Sequence, residues 1–303
     1  MRPALAMPTH AELLAAGAAQ LHAAGVDTPR LDAEVLLARA SGVDRSGLYA
    51  RLHTAAADET GSRFASLLDR RARREPIAYI TGVQEFWSLP FAVTPAVLIP
   101  RPETELVIEA AVRLTREPRP PEGPGGRADA PPRLCDVGTG SGCIAVALAR
   151  ELRDARVVAV DVSGAALELA ARNAAMHRVA DRIAFIVSDL FDGLAPDLRF
   201  DVIASNPPYV GCGEPTSPEI AFEPAAAVAA GGDGLAVIRR LIVEAPRRLR
   251  AGGWLVMEFG CEQETAVRRL AEAAGLADIG VIADLAGLPR VLVARQMKRK
   301  ARG

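Results

Sequence analysis

Apolar residues recur at two different spacings along this chain, and the change from one to the other divides it. From Thr9 to Glu75, Leu31, Val35 and Leu36, then Leu67 and Leu68, fall on helical intervals in stretches interrupted by Gly25, Gly42 and Gly61. That pattern predicts a small helical bundle over 1–75. Asp27-Thr28-Pro29 predicts a helix start, with Asp32 and Glu34 as first-turn acids favoured by the helix dipole. From Pro76 to Val97 the texture changes: Ile77, Tyr79, Ile80, Val83, Phe86, Trp87, Leu89, Phe91 and Val93 are β-formers and aromatics, with Gly82 and Pro90 as turn residues. A hairpin joining two domains, a linker over 76–100, is the expectation. Pro100-Arg101-Pro102 then blocks helix, and Glu103, Thr104 and Glu105 start one whose buried stripe is Leu106, Val107, Ala110 and Leu114.

After Pro132 strands and helices alternate. Arg133–Val137, Val157–Val160, Ile183–Val187, Phe200–Ala204 and Trp254–Phe259 read as strands, separated by helices near Ile144–Arg150, Ala165–Met176, Leu235–Arg248 and Gln263–Ala274. The rhythm predicts an α/β domain over 101–303 with a parallel, doubly wound sheet, closed by an antiparallel pair at Ala277–Val281 and Val291–Ala294. Between the two regimes, Glu117–Pro132 holds six prolines and three glycines in sixteen residues, which predicts a flexible surface loop with nothing apolar to bury. Lys298 to Arg302 is a short basic tail, expected to be solvated.

Composition narrows the function classes. Half of the 303 residues are apolar, and 36 basic against 37 acidic residues give a net charge of -1, so no global signature of a polyanion or membrane-surface binder exists. Cys135, Cys143, Cys212 and Cys261 form no close pair, and His10, His22, His53 and His177 are scattered, so neither a disulfide framework nor a metal site is expected. No long apolar run and no signal-peptide order are present, which predicts a cytoplasmic protein.

The chemistry concentrates in two motifs. Asp136-Val137-Gly138-Thr139-Gly140-Ser141-Gly142 leaves the first α/β strand and opens a helix, and Asp161 ends the next strand, where a carboxylate can bind a ribose diol. The glycine spacing is G-x-G-x-G, with Cys143 where a dinucleotide fingerprint needs its third glycine. Further on, Asp201-Val202-Ile203-Ala204 runs into Ser205-Asn206-Pro207-Pro208-Tyr209. Two prolines stiffen the backbone and remove two N–H donors, leaving carbonyls free to face a pocket beside the Asn206 side-chain carbonyl and the flat Tyr209 ring. Such parts suit the orientation of a planar NH2 group whose lone pair is delocalised. Asn206 and Pro207 are the catalytic candidates, and Asn206, Pro207, Pro208 and Tyr209 the substrate-binding ones.

The glycine loop resembles the S-adenosylmethionine loop of Rossmann-like class I methyltransferases. That resemblance implies cofactor contacts from Asp136, Gly138, Thr139, Gly140, Ser141 and Gly142, with Asp161 on the ribose, Asp189 and Leu190 near the adenine, and Asn206 facing both cofactor and substrate. Asp189 reads equally well as a turn cap. Asn-Pro-Pro-Tyr is shared by N6-adenine and protein glutamine methyltransferases, so the substrate is decided elsewhere. Arg73-Arg74-Glu75-Pro76-Ile77-Ala78-Tyr79-Ile80-Thr81-Gly82, Glu85-Phe86-Trp87-Ser88-Leu89-Pro90-Phe91, Leu98-Ile99-Pro100-Arg101-Pro102-Glu103-Thr104-Glu105, Phe222-Glu223-Pro224 and Gly231-Gly232-Asp233-Gly234-Leu235 resemble the release factor glutamine methyltransferase family of the PrmC/HemK type. The family implies N5-methylation of the glutamine in the Gly-Gly-Gln motif of class 1 peptide chain release factors, with the N-terminal domain gripping that partner. No metal, no membrane, no direct nucleic-acid binding and a monomer are the accompanying expectations. The alternative reading is an N6-adenine methyltransferase acting on DNA or RNA. Leu190 departs from relatives that place an aromatic there, and the Glu117–Pro132 loop is longer than the family needs.

Overall fold

The computed structural model describes residues 7–117, 130–211 and 217–297. Most of the proline-glycine stretch, over 118–129, and the basic tail lie outside the described residues. The chain divides into two compact units, Met1–Val83 with Ser217–Phe222, and Gln84–Thr216 with Glu223–Gly303. Among the described residues no helix is long and apolar enough to cross a membrane.

The first unit is helical, with α1 (His10–Ala23), α2 (Pro29–Ala40), α3 (Arg45–Ala50), α4 (Asp58–Ala72) and the short α5 (Ile77–Thr81). Thr9 begins α1 with a capping box, its hydroxyl accepting from Glu12 N while the Glu12 carboxylate accepts from Thr9 N. Leu14, Leu21, Leu36, Leu37, Leu48, Phe64 and Leu68 form the core. Gly61 breaks nothing: it is the fourth residue of α4, and its N–H donates to the Ala57 carbonyl at 3.1 Å as in a regular helix. The acids of α2 are held by side chains more than by the helix dipole. Asp32 and Glu34 are both buried; Arg71 donates to Asp32 at 2.7 Å, and Arg30, Arg45 and Tyr49 donate to Glu34 at 2.9, 2.7 and 2.6 Å. Burial pushes the Glu34 carboxyl up, but these donors outweigh it and hold it at about 2. Arg71 and Arg74 also pair with Glu219, at 3.0 and 2.8 Å, and so bind the segment Ser217–Phe222 into this unit.

Where the sequence predicts β-structure from Ile77, α5 forms instead. Pro76 precedes it, left-handed Gly82 ends it with φ 77°, and the turn buries Ala78, Tyr79 and Ile80 together, so burial overrides the β-propensity of Ile and Tyr. The hairpin is confined to β1 (Val83–Phe86) and β2 (Leu89–Ala92). Phe86 and Phe91 meet edge to face at 6.1 Å inside the core of the second unit, and His177 donates from Nε2 to the Pro90 carbonyl at 2.7 Å. At its tip Trp87 and Ser88 are both left-handed, and Glu105 accepts the Trp87 N–H at 2.7 Å.

The second unit is a seven-stranded sheet in the order β5-β4-β3-β6-β7-β9-β8. Its strands are β3 (Arg133–Val137), β4 (Arg156–Asp161), β5 (Ile183–Val187), β6 (Phe200–Ser205), β7 (Leu249–Glu258), β8 (Leu276–Ala283) and β9 (Pro289–Gln296). Strands β3 to β7 are parallel, and β9 runs antiparallel between β7 and β8. One apolar layer gathers α6 (Glu105–Arg116) and α7 (Cys143–Glu151) with the hairpin; the other gathers α10 (Ala236–Arg248) and α11 (Glu264–Ala273), after the one-turn α9 (Ala225–Val228). The order reverses at β3, whose neighbours β4 and β6 lead away to opposite edges, which opens a crevice at their carboxyl ends.

Helix α8 (Gly164–Met176) carries Asn173, fully buried. Its Oδ1 accepts from Ala92 N at 2.9 Å, and its Nδ2 donates to the carbonyls of Ala92 and Ser141 at 3.0 and 2.8 Å, tying the hairpin and the glycine loop to one side chain. Asn173→Ala will lower the unfolding free energy by about 3 kcal/mol, from three neutral hydrogen bonds at roughly 1 kcal/mol each. Urea denaturation measures it, and an unmoved midpoint would show that these bonds do not hold the loop.

Candidate active site

The crevice is a cavity of roughly 350 Å³, within the range of small-molecule sites. The glycine loop forms its floor. It turns through left-handed backbone at Gly138, Gly140 and Gly142, and the Val160 carbonyl accepts the N–H groups of both Gly138 and Thr139 at 2.9 Å. Gly138, Thr139, Gly140 and Ser141 line the cavity, as do Asp161, Asp189 and Leu190. Asp161 also orders the loop, accepting from Gly140 N and Ser163 N at 2.9 Å each. Asp189 is exposed and pairs with Arg240 at 3.1 Å, while the turn it was expected to cap is closed by Ser188, whose hydroxyl accepts from Gly193 N at 2.9 Å.

Asn206, Pro207 and Pro208 enter the same cavity from the end of β6. Three residues expected in direct contact lie outside its lining. Gly142 faces α8, where an added Cβ would sit 2.9 Å from Ala170 Cβ, so its role there is helix packing. Asp136 is wholly buried beneath the loop, with one oxygen accepting from Thr139 Oγ1 at 2.6 Å and Ala145 N at 3.0 Å. Burial pushes its carboxyl up to about 7 in spite of both donors. Tyr209 is turned away and anchored: its hydroxyl donates to Glu258 at 3.0 Å and its carbonyl accepts from Gln263 Nε2 at 2.9 Å. Any side chain at Gly234 would press on that carbonyl, an added Cβ standing 2.3 Å from it.

Sequence reasoning missed the apolar walls, Val97, Leu98 and Pro100 on one side and Ala226, Ala227 and Val237 on another. A buried latch fixes two of the segments. Glu223 accepts from Arg101 at 2.5 Å and from Ile99 N at 3.4 Å, so the stretch before Pro102 and the stretch from Pro224 are held together. Cys143 also lines the cavity, but burial pushes its thiol up to about 12, which leaves it protonated and inert. Three buried polar atoms at the site find no partner among the described residues: Asp136 Oδ1, Ser141 Oγ and Asn206 Oδ1. Groups of this kind stay buried when a ligand completes them. A nucleoside carrying an amino acid, with donors at both ends, fits that set.

A family model described as the PrmC N-terminal domain matches residues 12–82, and one described as the methyltransferase small domain matches 128–223. A release factor glutamine methyltransferase from Xylella fastidiosa (strain 9a5c) is 41% identical, covering 91% of this chain and 97% of its own. Another, from Geobacter sulfurreducens, is 42% identical over 89% of this chain and 91% of its own. The chain belongs to the release factor glutamine methyltransferase family. A crystal structure of a methyltransferase from Pyrococcus furiosus, 17% identical, aligns over 76% of this chain and 99% of its own with a TM-score of 0.52, a likeness of fold. The fold is that of a Rossmann-like class I methyltransferase, and the chain is a methyltransferase. Within this family Glu223 and Gly234, which the sequence marked only by resemblance, acquire physical roles as the latch and the close approach described above.

Burial also raises Glu258, at the end of β7, to about 7. Asp136 and Glu258 therefore hold a proton more tightly folded than unfolded, where a carboxyl titrates at about 4. Stability from both is present at low pH and drains as pH rises from about 4 through about 7. Thermal melts at about pH 5 and about pH 8 will show a smaller loss over that interval in Asp136→Asn than in wild type. Equal losses would remove Asp136 as a source of the slope.

Proposed function

We propose that the protein transfers a methyl group from S-adenosylmethionine to the side-chain nitrogen N5 of the glutamine in the Gly-Gly-Gln motif of class 1 peptide chain release factors. The observation that carries the reading is the unpartnered Asn206 Oδ1 beside the Pro207 and Pro208 backbone, in the same cavity as Asp161 and the glycine loop. The names of the relatives support the substrate.

S-adenosylmethionine would supply an electrophilic methyl group on a sulfonium. Asp161 would accept from its ribose hydroxyls, each carboxylate oxygen keeping a lone pair beyond the loop N–H it already receives. Asp136, beneath the loop and outside the cavity lining, would favour the methionine ammonium by its charge, and Leu190 with the apolar walls would enclose the adenine. The acceptor nitrogen of an amide is a poor nucleophile, because its lone pair is delocalised into the carbonyl. Asn206 Oδ1 and the Pro207 carbonyl would each accept one N–H, fixing the amide plane so that one face of the nitrogen meets the methyl group. Two acceptors also favour the transition state, in which positive charge grows on that nitrogen and its N–H groups become better donors; the methyl–sulfur bond would break as the methyl–nitrogen bond forms, and the nitrogen would then release one proton to solvent. Orientation accounts for much of the rate in such an arrangement. Pro207 and Pro208 have no N–H of their own to compete with the substrate.

Two substitutions separate binding from chemistry. Asp161→Ala will weaken cofactor binding tenfold or more, the loss of a charged hydrogen bond worth about 1.5–3 kcal/mol. Calorimetry checks it, and unchanged affinity would refute the ribose assignment. Asn206→Ala will keep the fold and lose transfer. The deciding assay follows labelled methyl from S-adenosylmethionine to purified release factor, beside a factor whose Gly-Gly-Gln glutamine is alanine, with DNA and RNA as parallel acceptors. Label on the wild-type factor alone is expected; label on nucleic acid and none on the factor would replace this reading with adenine methylation.

A further inference from the structure

The Asn206 carboxamide has two ends of nearly the same shape, and rotation by half a turn exchanges them at little torsional cost. Only one end serves an acceptor NH2, since the flipped amide would set N–H against N–H. Something has to choose between them. Asn206 Nδ2 lies 3.0 Å from Thr104 Oγ1, and Thr104 Oγ1 lies 2.6 Å from Glu258 Oε2. Tyr209 donates its hydroxyl to the other oxygen, Glu258 Oε1, at 3.0 Å. The three residues of the row come from separate parts of the second unit, Thr104 just before α6, Asn206 after β6 and Glu258 at the end of β7.

The direction of the row follows from the donor inventory. With Glu258 ionised, its form above about pH 7, the carboxylate only accepts, and a threonine hydroxyl has one proton. Once Thr104 points that proton at Glu258, its oxygen offers only lone pairs, and the NH2 end of Asn206 is the end that can bind them. Asn206 Oδ1 is then left facing away from Thr104, and it is the atom without a partner. We propose that Glu258 and Thr104 are positioning residues of the transfer reaction, Glu258 acting through Thr104 to hold Asn206 with its Oδ1 toward the acceptor nitrogen. The inference rests on the reading of Asn206 given above and extends it to the residues behind it.

Burial of the carboxyl supports a functional reason for it. Thr104 and Glu258 are each 1% exposed, and a carboxylate in such a place costs more than a well-packed neutral side chain would. Stability alone favours its replacement. A neutral glutamine at this position would have to turn its own NH2 toward either Thr104 or Tyr209, and toward Thr104 it would reverse the row.

The test compares Thr104→Val, Thr104→Ser and Glu258→Gln with wild type in the full chain. Thr104→Val keeps the shape and deletes the hydroxyl; Thr104→Ser restores it. Transfer to release factor by Thr104→Val is expected to fall in kcat by about tenfold or more, the order that misplacement of a reacting group costs, with KM for both substrates within about threefold. Thr104→Ser is expected to recover most of the rate, and Glu258→Gln to lower it, through the molecules whose Nε2 faces Thr104, while melting near wild type. A second readout needs no substrate: the ¹⁵N and ¹H resonances of the Asn206 side-chain amide, assigned by their loss in Asn206→Ala, are expected to shift in Thr104→Val and return in Thr104→Ser. Wild-type kcat in Thr104→Val, or amide resonances that do not move, would overturn the relay. Asn206→Ala at full rate would instead strike at the proposed function, and the resonances would still decide whether the row exists.

Discussion

A carboxylate buried at the end of the central strand β7 constrains everything around the cavity. Glu258 accepts from Thr104 at 2.6 Å and from Tyr209 at 3.0 Å, and those donors favour its charge against a burial that still raises the carboxyl to about 7. Meeting that requirement fixes the start of α6 through Thr104 and the exit of the Asn-Pro-Pro-Tyr loop through Tyr209. The same loop is pinned a second time by Gln263, which accepts from Gly260 N and donates to the Tyr209 carbonyl. Gly234 is the residue that leaves room for that carbonyl. The polar atoms facing the cavity are therefore held from behind, which is how a site keeps unpaired donors and acceptors ready for a ligand without the loop folding back to satisfy them.

The two acids of the glycine loop divide their work by environment. Asp161 is partly exposed and spends one hydrogen bond per oxygen on the loop backbone, so the group proposed to read the ribose also shapes the floor beneath it. Asp136 is wholly buried, and its second oxygen has nothing to accept. An ammonium brought to that oxygen would relieve the cost of burial, which makes cofactor binding and ionisation of Asp136 favour one another.

Periodicity made most of the second unit legible. Strands β3 and β5 fall on the predicted residues, β4, β6, β8 and β9 run one or two positions longer at their ends, and β7 starts five earlier and stops one earlier, because buried parallel strands between helices leave strong apolar runs. The failures have local causes. Ile77 to Thr81 looks like strand by residue type and becomes helix because Pro76 and Gly82 bracket one turn whose apolar side chains can all be buried. Asp32 and Glu34 look like dipole partners, but the arginines that claim them lie elsewhere in the fold: Arg71 comes 39 positions after Asp32, and Arg45 comes 11 after Glu34. At the site, motifs pointed to most of the polar residues that line the cavity, and marked Thr104 and Glu223 only as parts of family stretches without a role; nothing in the sequence pointed to Glu258 or Asn173. Each of these four is a polar residue to which only its partner, distant in sequence, gives meaning.

Leu190 shows how a departure from relatives can be read physically. It is left-handed, with φ 49°, a conformation that costs a leucine roughly 1–2 kcal/mol, and it persists because the surroundings fix it. Ser188 closes the turn by donating to the Leu190 carbonyl at 2.9 Å and accepting from Gly193 N. The side chain then lines the cavity on one side and joins the apolar layer with Phe191 and Leu194 on the other. Under the proposed reading, a residue at this position answers to the core as well as to the adenine. An aromatic ring would stack better on a purine face but would also need more volume in the apolar layer it shares with Phe191 and Leu194, so an aliphatic side chain would trade stacking for fit.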